Sequence, residues 1–447
     1  MAFPDPDAAR PSASPPQDET STGRHAVLTT RRAFLAGSAA ILAAPLLGRA
    51  QAQASARVVV VGGGFAGATC SRVLKRLDPS LSVTLVEPSR SYVACPFSNL
   101  VVAGMRSLDE QTFGYDGIAR TGVTVVPQAA AGVDPAGKRV RLVDGADLAY
   151  DRLVLAPGID LRWGAIPGYD EAAAERMPHA WKAGPQTELL RRRLEAMPDG
   201  GLVVMAVPDN PFRCPPGPYE RASLIAHYLK TRKPRSKLLV LDAKDVFSKQ
   251  RLFTAAWAEL YPGVLEWVSQ STGGKVTAVD SASSTVRTDF ETYRAEVANV
   301  IPPQRAGRIA EIAGVTDRTG WCPVDPVSFE SRLQPGIHVI GDASIANPMP
   351  KSAFAANAQA KICARAVAAL LRGERPDDPV LINTCYSLIA PDYGISVAGV
   401  YRPRNGQLAE APGAGGVSPA DAPRDVRRLE ADYAEAWFKT ATAEVFG

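Results

Sequence analysis

Apolar residues fall along this chain in short runs, each followed by a glycine-rich or polar turn and then by a longer stretch with helical spacing. Arg57–Val61 (RVVVV) reads as a buried parallel strand, because it is continuously β-branched. A helical run, Ala68–Leu77, and a second strand, Ser82–Val86 ending at Glu87, come next. The same order recurs with Gly201–Val207 as strand, Tyr219–Lys230 as helix and Lys237–Leu241 as strand ending at Asp242. Such strand–turn–helix–strand units are the frame of dinucleotide-binding folds. Leu153–Ala156 and Gly336–Ile340 read as two further strands, and Ala353–Leu371 as a helix stopped by Gly373. Beyond it, Arg404-Asn405-Gly406 is a hairpin signal and Ser418–Val445 reads as a helix.

The two units differ in their turns. The first is Gly62-Gly-Gly64-Phe-Ala-Gly67, with Glu87 twenty residues past Gly67. Gly62 makes the tight turn, Gly64 admits a pyrophosphate, Gly67 lets helix and strand pack closely, and Glu87 can accept from a ribose. The second turn runs from Pro208 to Pro218 and reads PDNPFRCPPGP. Prolines lack the N–H groups that cradle a pyrophosphate, so this frame is expected to have lost its nucleotide, with Cys214 in its place. Ala156 and Gly158, in LAPG, and Asp342, after Gly341, resemble the later flavin-contacting turns of two-dinucleotide flavoproteins. These elements favour FAD over NAD in the first site. Asp342 can also be read as the cap of the helix that follows.

Composition sets broad limits. The chain has 447 residues, 46% hydrophobic, enough for two or three domains. A net charge of +4 without a basic run disfavours nucleic acid. Thr30-Arg31-Arg32-Ala33-Phe34-Leu35, an apolar run to Gly48, and small residues at Ala50, Ala52 and Ala54 have the order of a twin-arginine export signal. Residues 1–54 are therefore expected to be a signal peptide, and the mature protein periplasmic. No Cys-x-x-Cys-His occurs, so the chain carries no c-type haem site of its own, and no Cys/His cluster has metal-ligand spacing.

Longer stretches carry a more specific resemblance. They are Tyr92-Val-Ala-Cys95-Pro-Phe-Ser-Asn99, Pro211-Phe-Arg-Cys214-Pro-Pro-Gly-Pro-Tyr-Glu220, Gly341–Lys351, Asn383-Thr-Cys385-Tyr-Ser387 and Ala436-Trp437-Phe438. With the Gly62–Gly67 fingerprint, the chain resembles the flavoprotein subunit of flavocytochrome c sulfide dehydrogenase. That resemblance implies an α/β fold of two Rossmann-like domains of the glutathione reductase type plus a smaller C-terminal α+β domain. It assigns 55–167 and 304–374 to FAD, 168–303 to the degenerate NAD-like domain carrying a redox cysteine, and 375–447 to a domain covering the flavin.

The same resemblance implies hydrosulfide as substrate, a c-type cytochrome subunit as partner and the only holder of haem, and FAD joined covalently to Cys95. It pairs Cys214 with Cys385 as a redox disulfide, gives Glu220 an acid–base role, and places Lys351 beside the flavin as a cation. Read from residues alone, alternatives stay open. Cys95 can be a buried thiol, the Cys214/Cys385 pair an ordinary staple or two unrelated core thiols, Glu220 a helix-start carboxylate and Lys351 a surface lysine. Cys70 and Cys363 read as core, and Cys322 has no assigned role. Two rival functions share the frame: a sulfide:quinone oxidoreductase, and a non-catalytic flavoprotein that assembles with a cytochrome. The apolar stripe Val426, Leu429, Tyr433, Trp437 and Phe438 reads as packing, since the opposite face is partly acidic, not the basic face of a membrane-lying helix.

Overall fold

The computed structural model describes residues 55–447, so the twin-arginine segment lies outside them. In chain order, β1 (Arg57–Val61) leads into α1 (Phe65–Leu77) and β2 (Ser82–Val86). The Cys95 loop ends in the short α2 (Ser98–Val102), and β3 (Thr124–Val126) and β4 (Arg152–Leu155) complete the first half. Then come β5 (Leu202–Val207), α3 (Gly217–Arg232), β6 (Lys237–Asp242), α4 (Gln250–Leu260), β7 (Leu265–Val268) and β8 (Val297–Val300). The chain returns through β9 (Ile337–Val339) and α5 (Ala353–Leu371). It ends with β10 (Leu381–Ala390), β11 (Tyr393–Arg404), β12 (Gln407–Glu410) and α6 (Arg424–Phe446).

The expected α/β class holds. One parallel sheet has the order β9-β4-β1-β2-β3 and a second the order β7-β6-β5-β8. Their central strands are almost wholly buried, which is why they read as unbroken apolar runs. The third sheet is antiparallel, β10-β11-β12. Its β11–β12 turn puts Asn405 and Gly406 both at positive φ, as a two-residue hairpin requires.

Two boundaries differ from expectation. Helix α3 starts at Gly217, because Pro218 in the first turn gives up an N–H that has no helical partner there. Helix α6 starts at Arg424, not Ser418, because Pro423 stands at the cap with an extended backbone. The cap of α5 is Ser352, whose hydroxyl accepts from the Ala355 N–H at 3.0 Å. Asp342 lies ten residues upstream of that cap and does not serve as one.

Three polar links fasten β10 to the second Rossmann-like domain. The Tyr261 hydroxyl donates to the Ile389 carbonyl at 2.6 Å, Glu220 Oε1 accepts from the Leu388 N–H at 2.9 Å, and the Lys249 ammonium donates to the Cys385 carbonyl at 2.8 Å. Beneath them, Arg221 is 2% exposed. Its guanidinium donates to Asn99 Oδ1, the His179 and Ala180 carbonyls and Asn299 Oδ1, and lies 5.0 Å from the Trp181 ring. Burial lowers its pKa to about 10, which still leaves it charged at neutral pH. Arg221→Met leaves Asn99 Oδ1, Asn299 Oδ1 and the Ala180 carbonyl without a donor, the His179 carbonyl keeping Asn299 Nδ2, and is expected to cost on the order of 3 kcal/mol in urea unfolding of the holoprotein. A change below about 0.5 kcal/mol, the size of an ordinary surface substitution, would contradict this account.

Candidate active site

A cavity of about 820 Å³ opens where the first sheet, the second Rossmann-like domain and the C-terminal domain meet. That is ample for a dinucleotide, given that ligand pockets run roughly 300–1,000 Å³. The β1–α1 turn forms one end. Gly62 has φ +103°, and a Cβ there would lie 2.3 Å from the Ala156 carbonyl oxygen. A Cβ on Gly67 would lie 1.8 Å from the Gly62 oxygen, so only glycine lets α1 approach β1 this closely. Gly64, Glu87, Ala156 and Gly158 all line the cavity. Glu87 Oε2 accepts from the Gly63 N–H at 2.8 Å and Oε1 from the Ser89 N–H at 2.9 Å, which fixes the carboxylate at the rim.

Several polar atoms in this wall have no protein partner. Asp342 Oδ1, the Tyr115 hydroxyl and the Trp181 indole N–H are buried and unsatisfied. Burial also raises the Asp342 pKa. Buried groups of this kind need partners, and the hydroxyls and ring nitrogens of a flavin nucleotide supply them. The glycine cradle, the rim carboxylate and these orphaned groups fit FAD.

Cys95 lies in the cavity wall, partly buried, between the strand of Tyr92 and α2. Cys214 and Cys385 line the same cavity from the second and the C-terminal domains, so the structure brings together two cysteines far apart in sequence. Both are free thiols here. Cys214 sits at φ +58°, a left-handed backbone unusual for a residue with a side chain and typical of functional positions. Its N–H donates to the Lys351 carbonyl at 2.7 Å and its carbonyl accepts from Gly217 at 2.8 Å. A Cβ on Gly217 would fall 3.0 Å from Cys214 Sγ, so that glycine makes room for the sulfur. Burial, then the proximity of Cys385 and Glu220, pushes the Cys214 thiol pKa well up. Asn383 Nδ2 donates to Cys385 Sγ at 3.3 Å, and the Ser352 hydroxyl donates to Asn383 Oδ1 at 2.6 Å. Glu220 also faces the cavity. Its Oε2 accepts from Asn99 Nδ2 at 2.8 Å, and burial raises its pKa, suiting it to hold a proton.

Lys351 departs from expectation. Its ammonium does not line the cavity: it donates to the Asp342 carbonyl at 2.8 Å and the Ser344 carbonyl at 2.7 Å, 3.9 Å from the Trp321 ring centroid. The carbonyls behind the Gly341–Ser344 turn outcompete the cavity for it, and burial lowers its pKa to about 8. Arg213, quoted in the sequence motif without a role, does line the cavity, as do Lys182 and Arg221, and it lies in electrostatic range of Cys95, Asp342 and Cys214. Cys70, Cys322 and Cys363 are wholly buried.

The second nucleotide position is filled by the chain itself. Asp242, at the strand end where a ribose-binding acid would stand, is completely buried. It accepts from the Tyr219 hydroxyl at 2.6 Å, Trp267 Nε1 at 2.9 Å and the Lys244 ammonium at 2.6 Å. Tyr219 stacks on Phe247 at 3.6 Å, and Phe253, Trp257 and Trp267 close around them. The turn reads as degenerate in sequence; the aromatic plug and the locked carboxylate do not, because they are assembled from residues scattered over two strands, two helices and a loop.

Fold and site thus define an FAD-dependent oxidoreductase of the disulfide-reductase type, with one working nucleotide cradle and a pair of cysteines beside it. Three family models match in succession. Residues 56–194 match pyridine nucleotide-disulphide oxidoreductase, 187–302 the central part of the sulfide dehydrogenase [flavocytochrome c] flavoprotein chain, and 377–446 the flavin-binding part of flavocytochrome c sulphide dehydrogenase. The chain is 67% identical over 45 residues to a sulfide dehydrogenase [flavocytochrome c] flavoprotein chain of Chlorobaculum thiosulfatiphilum, a stretch covering 10% of this chain and 94% of that sequence. It is 24% identical over 330 residues to a mitochondrial sulfide:quinone oxidoreductase of Mus musculus, covering 71% of this chain and 72% of the relative. Among solved structures, the sulfide:quinone oxidoreductase of Aquifex aeolicus superposes with a TM-score of 0.68 at 17% identity, over 87% of this chain and 92% of that one. The chain belongs to the family of flavocytochrome c sulfide dehydrogenase flavoprotein chains, FAD proteins of sulfide oxidation.

With the second nucleotide position filled, NADH is expected to leave the flavin absorbance of the holoprotein unchanged in an anaerobic titration. Bleaching of the flavin by NADH would show that the aromatic plug yields.

Proposed function

We propose that this protein is a periplasmic sulfide dehydrogenase subunit that takes electrons from hydrosulfide through a Cys214–Cys385 disulfide and passes them, through FAD, to a c-type cytochrome subunit. The observation that carries this reading is the convergence of Cys214, Cys385 and Glu220 on the FAD cavity, with the second nucleotide position filled. Hydrosulfide attacks one sulfur of the disulfide. One S–S bond breaks, another forms as a persulfide, and the second cysteine leaves as thiolate. Glu220, held by Asn99 and Leu388 with a raised pKa, is placed to exchange a proton with the sulfur species. FAD, when bound, supplies a two-electron sink able to release electrons singly. Cys95 is the residue proposed to anchor it covalently, and Asp342 and Glu87 to hold its sugar chain and ribose. The folded-export signal read at residues 1–54 supports the periplasm, where a disulfide persists.

A quinone acceptor is the second reading, favoured by the 24% identity to the mouse sulfide:quinone oxidoreductase. The match of residues 377–446 to the flavocytochrome c flavin-binding model supports the cytochrome instead. No helix among the described residues is long and apolar enough to cross a membrane.

Purified holoprotein with its cytochrome subunit is expected to reduce cytochrome c with sulfide, faster than it reduces a soluble ubiquinone analogue. Cys214→Ser and Cys385→Ser are each expected to lose roughly three orders of magnitude in rate while keeping their flavin, as for removal of a reacting nucleophile. Activity surviving either substitution would overturn the disulfide route, and a faster quinone reaction would move the acceptor to the second reading.

A further inference from the structure

Arg106 lies just beyond α2, outside every motif quoted from the sequence, with a side chain only 13% exposed. Its Nη1 and Nη2 donate to Glu435 of α6 at 3.0 and 3.2 Å, and Glu110 adds a carboxylate at 3.9 Å. Two rings enclose the guanidinium, Phe97 at 5.2 Å and Phe438 of α6 at 5.1 Å. Its Nε faces the Gln111 side chain. With the Gln111 amide oriented to satisfy its neighbours, the oxygen accepts from Arg106 Nε at 2.8 Å. The amide nitrogen then donates to the Pro96 carbonyl at 2.7 Å and the Ala94 carbonyl at 3.3 Å. Gln111 is wholly buried, and its own carbonyl accepts from the Ala94 N–H at 2.8 Å. The contacts therefore run from α6 through Arg106 and Gln111 to the residues on either side of Cys95.

The Cys95 loop needs holding from outside. Phe97, two residues on, sits at φ +67°, a left-handed backbone disfavoured for a residue with a side chain. A conformation of that kind persists only where the surroundings impose it. Here α6 imposes it on both flanks: Phe97 lies 4.9 Å from Phe438, and Tyr92, three residues before Cys95, stacks on Phe446 at 5.4 Å. Ring packing tolerates sliding, whereas the planar fork of a guanidinium fixes direction. Glu435 is 53% exposed, so its ion pair with Arg106 adds little to stability. What the pair adds is the placement of the loop that carries Cys95 in the cavity wall.

We propose that Arg106 is a positioning residue for the attachment of FAD to Cys95, and that it couples this attachment to the seating of α6. The proposal rests on the anchoring role given to Cys95 above. In the attachment, Cys95 Sγ bonds to a ring-methyl carbon of the flavin. The thiol S–H bond and one methyl C–H bond break. Two protons and two electrons pass to the ring, which dioxygen then reoxidises with formation of hydrogen peroxide. Such a bond forms efficiently only where the reacting atoms are held about 3–3.5 Å apart, and a misplacement of about 1 Å costs on the order of a hundredfold in rate.

The test is the share of flavin that stays with the protein after acid precipitation of the purified holoprotein, with Cys95→Ser as the zero and mass mapping of the flavin peptide. The wild type is expected to retain nearly all of its flavin. Arg106→Met is expected to retain a share roughly tenfold lower, the remainder appearing as free FAD, with total FAD per chain unchanged before precipitation. Glu435→Gln, on the exposed face of α6, removes only the far half of the clamp and is expected to lower the share roughly threefold, with Arg106→Lys falling between Arg106→Met and the wild type. A wild-type share in both Arg106→Met and Glu435→Gln would overturn the proposal. So would an Arg106→Met protein that has lost its bound FAD altogether while Glu435→Gln retains the wild-type share, since Arg106 would then serve the fold alone. If acid releases all the flavin from the wild type, Cys95 is not its anchor, and this proposal falls with that reading while the disulfide route stands untouched.

Discussion

Cys385 reaches the flavin cavity only because the strand that carries it is fastened to the domain that carries Cys214. The fastening is polar and partly buried: Tyr261 to Ile389, Glu220 to Leu388, Lys249 to Cys385 and Ser387. On the other side, the Cys214 N–H is held by the Lys351 carbonyl, so the first and second Rossmann-like domains are tied at the same point. Each bond satisfies a group that would be costly to leave unpaired away from water. Together they fix the approach of two sulfurs that come from different domains, and the rest of the site depends on that approach.

The second Rossmann-like domain shows how a binding fold can be retained as scaffold. Its parallel sheet and its strand-end acid are intact, but Asp242 accepts three internal hydrogen bonds, and Tyr219 and Phe247 stack in the space a nucleotide would need. The glycine turn has become a proline-rich loop with Cys214 at positive φ. What remains is a rigid platform that presents a sulfur to the flavin cavity, consistent with entry of electrons through sulfur rather than through a nicotinamide.

Much of this was legible in the sequence, and for identifiable reasons. Buried parallel strands announce themselves as unbroken apolar runs, and β1, β2, β5 and β6 were readable to within about a residue. The cradle glycines and Glu87 were readable because their spacing is dictated by backbone geometry around a pyrophosphate. Side-chain direction was not readable. Lys351 stands next to the flavin turn in sequence, but two carbonyls and Trp321 draw its ammonium behind the wall. Arg213 lines the cavity instead, and nothing in its spacing distinguishes it from a surface arginine. Lys249 lay beyond reach because its partners, two carbonyls and the Ser387 hydroxyl, lie on a strand pair more than a hundred residues away. The start of α6 falls at Arg424, later than read, because Pro423 holds an extended backbone at the cap.

The measurement that tests the central claim most directly is peptide mass mapping of the air-oxidised holoprotein under non-reducing conditions, before and after one equivalent of sulfide without oxygen. The account predicts a Cys214–Cys385 cross-linked peptide that disappears on adding sulfide, with a persulfide on one of the two cysteines. If both cysteines are free in the oxidised protein, or the cross-link persists while sulfide reduces the flavin, electrons do not enter through this pair.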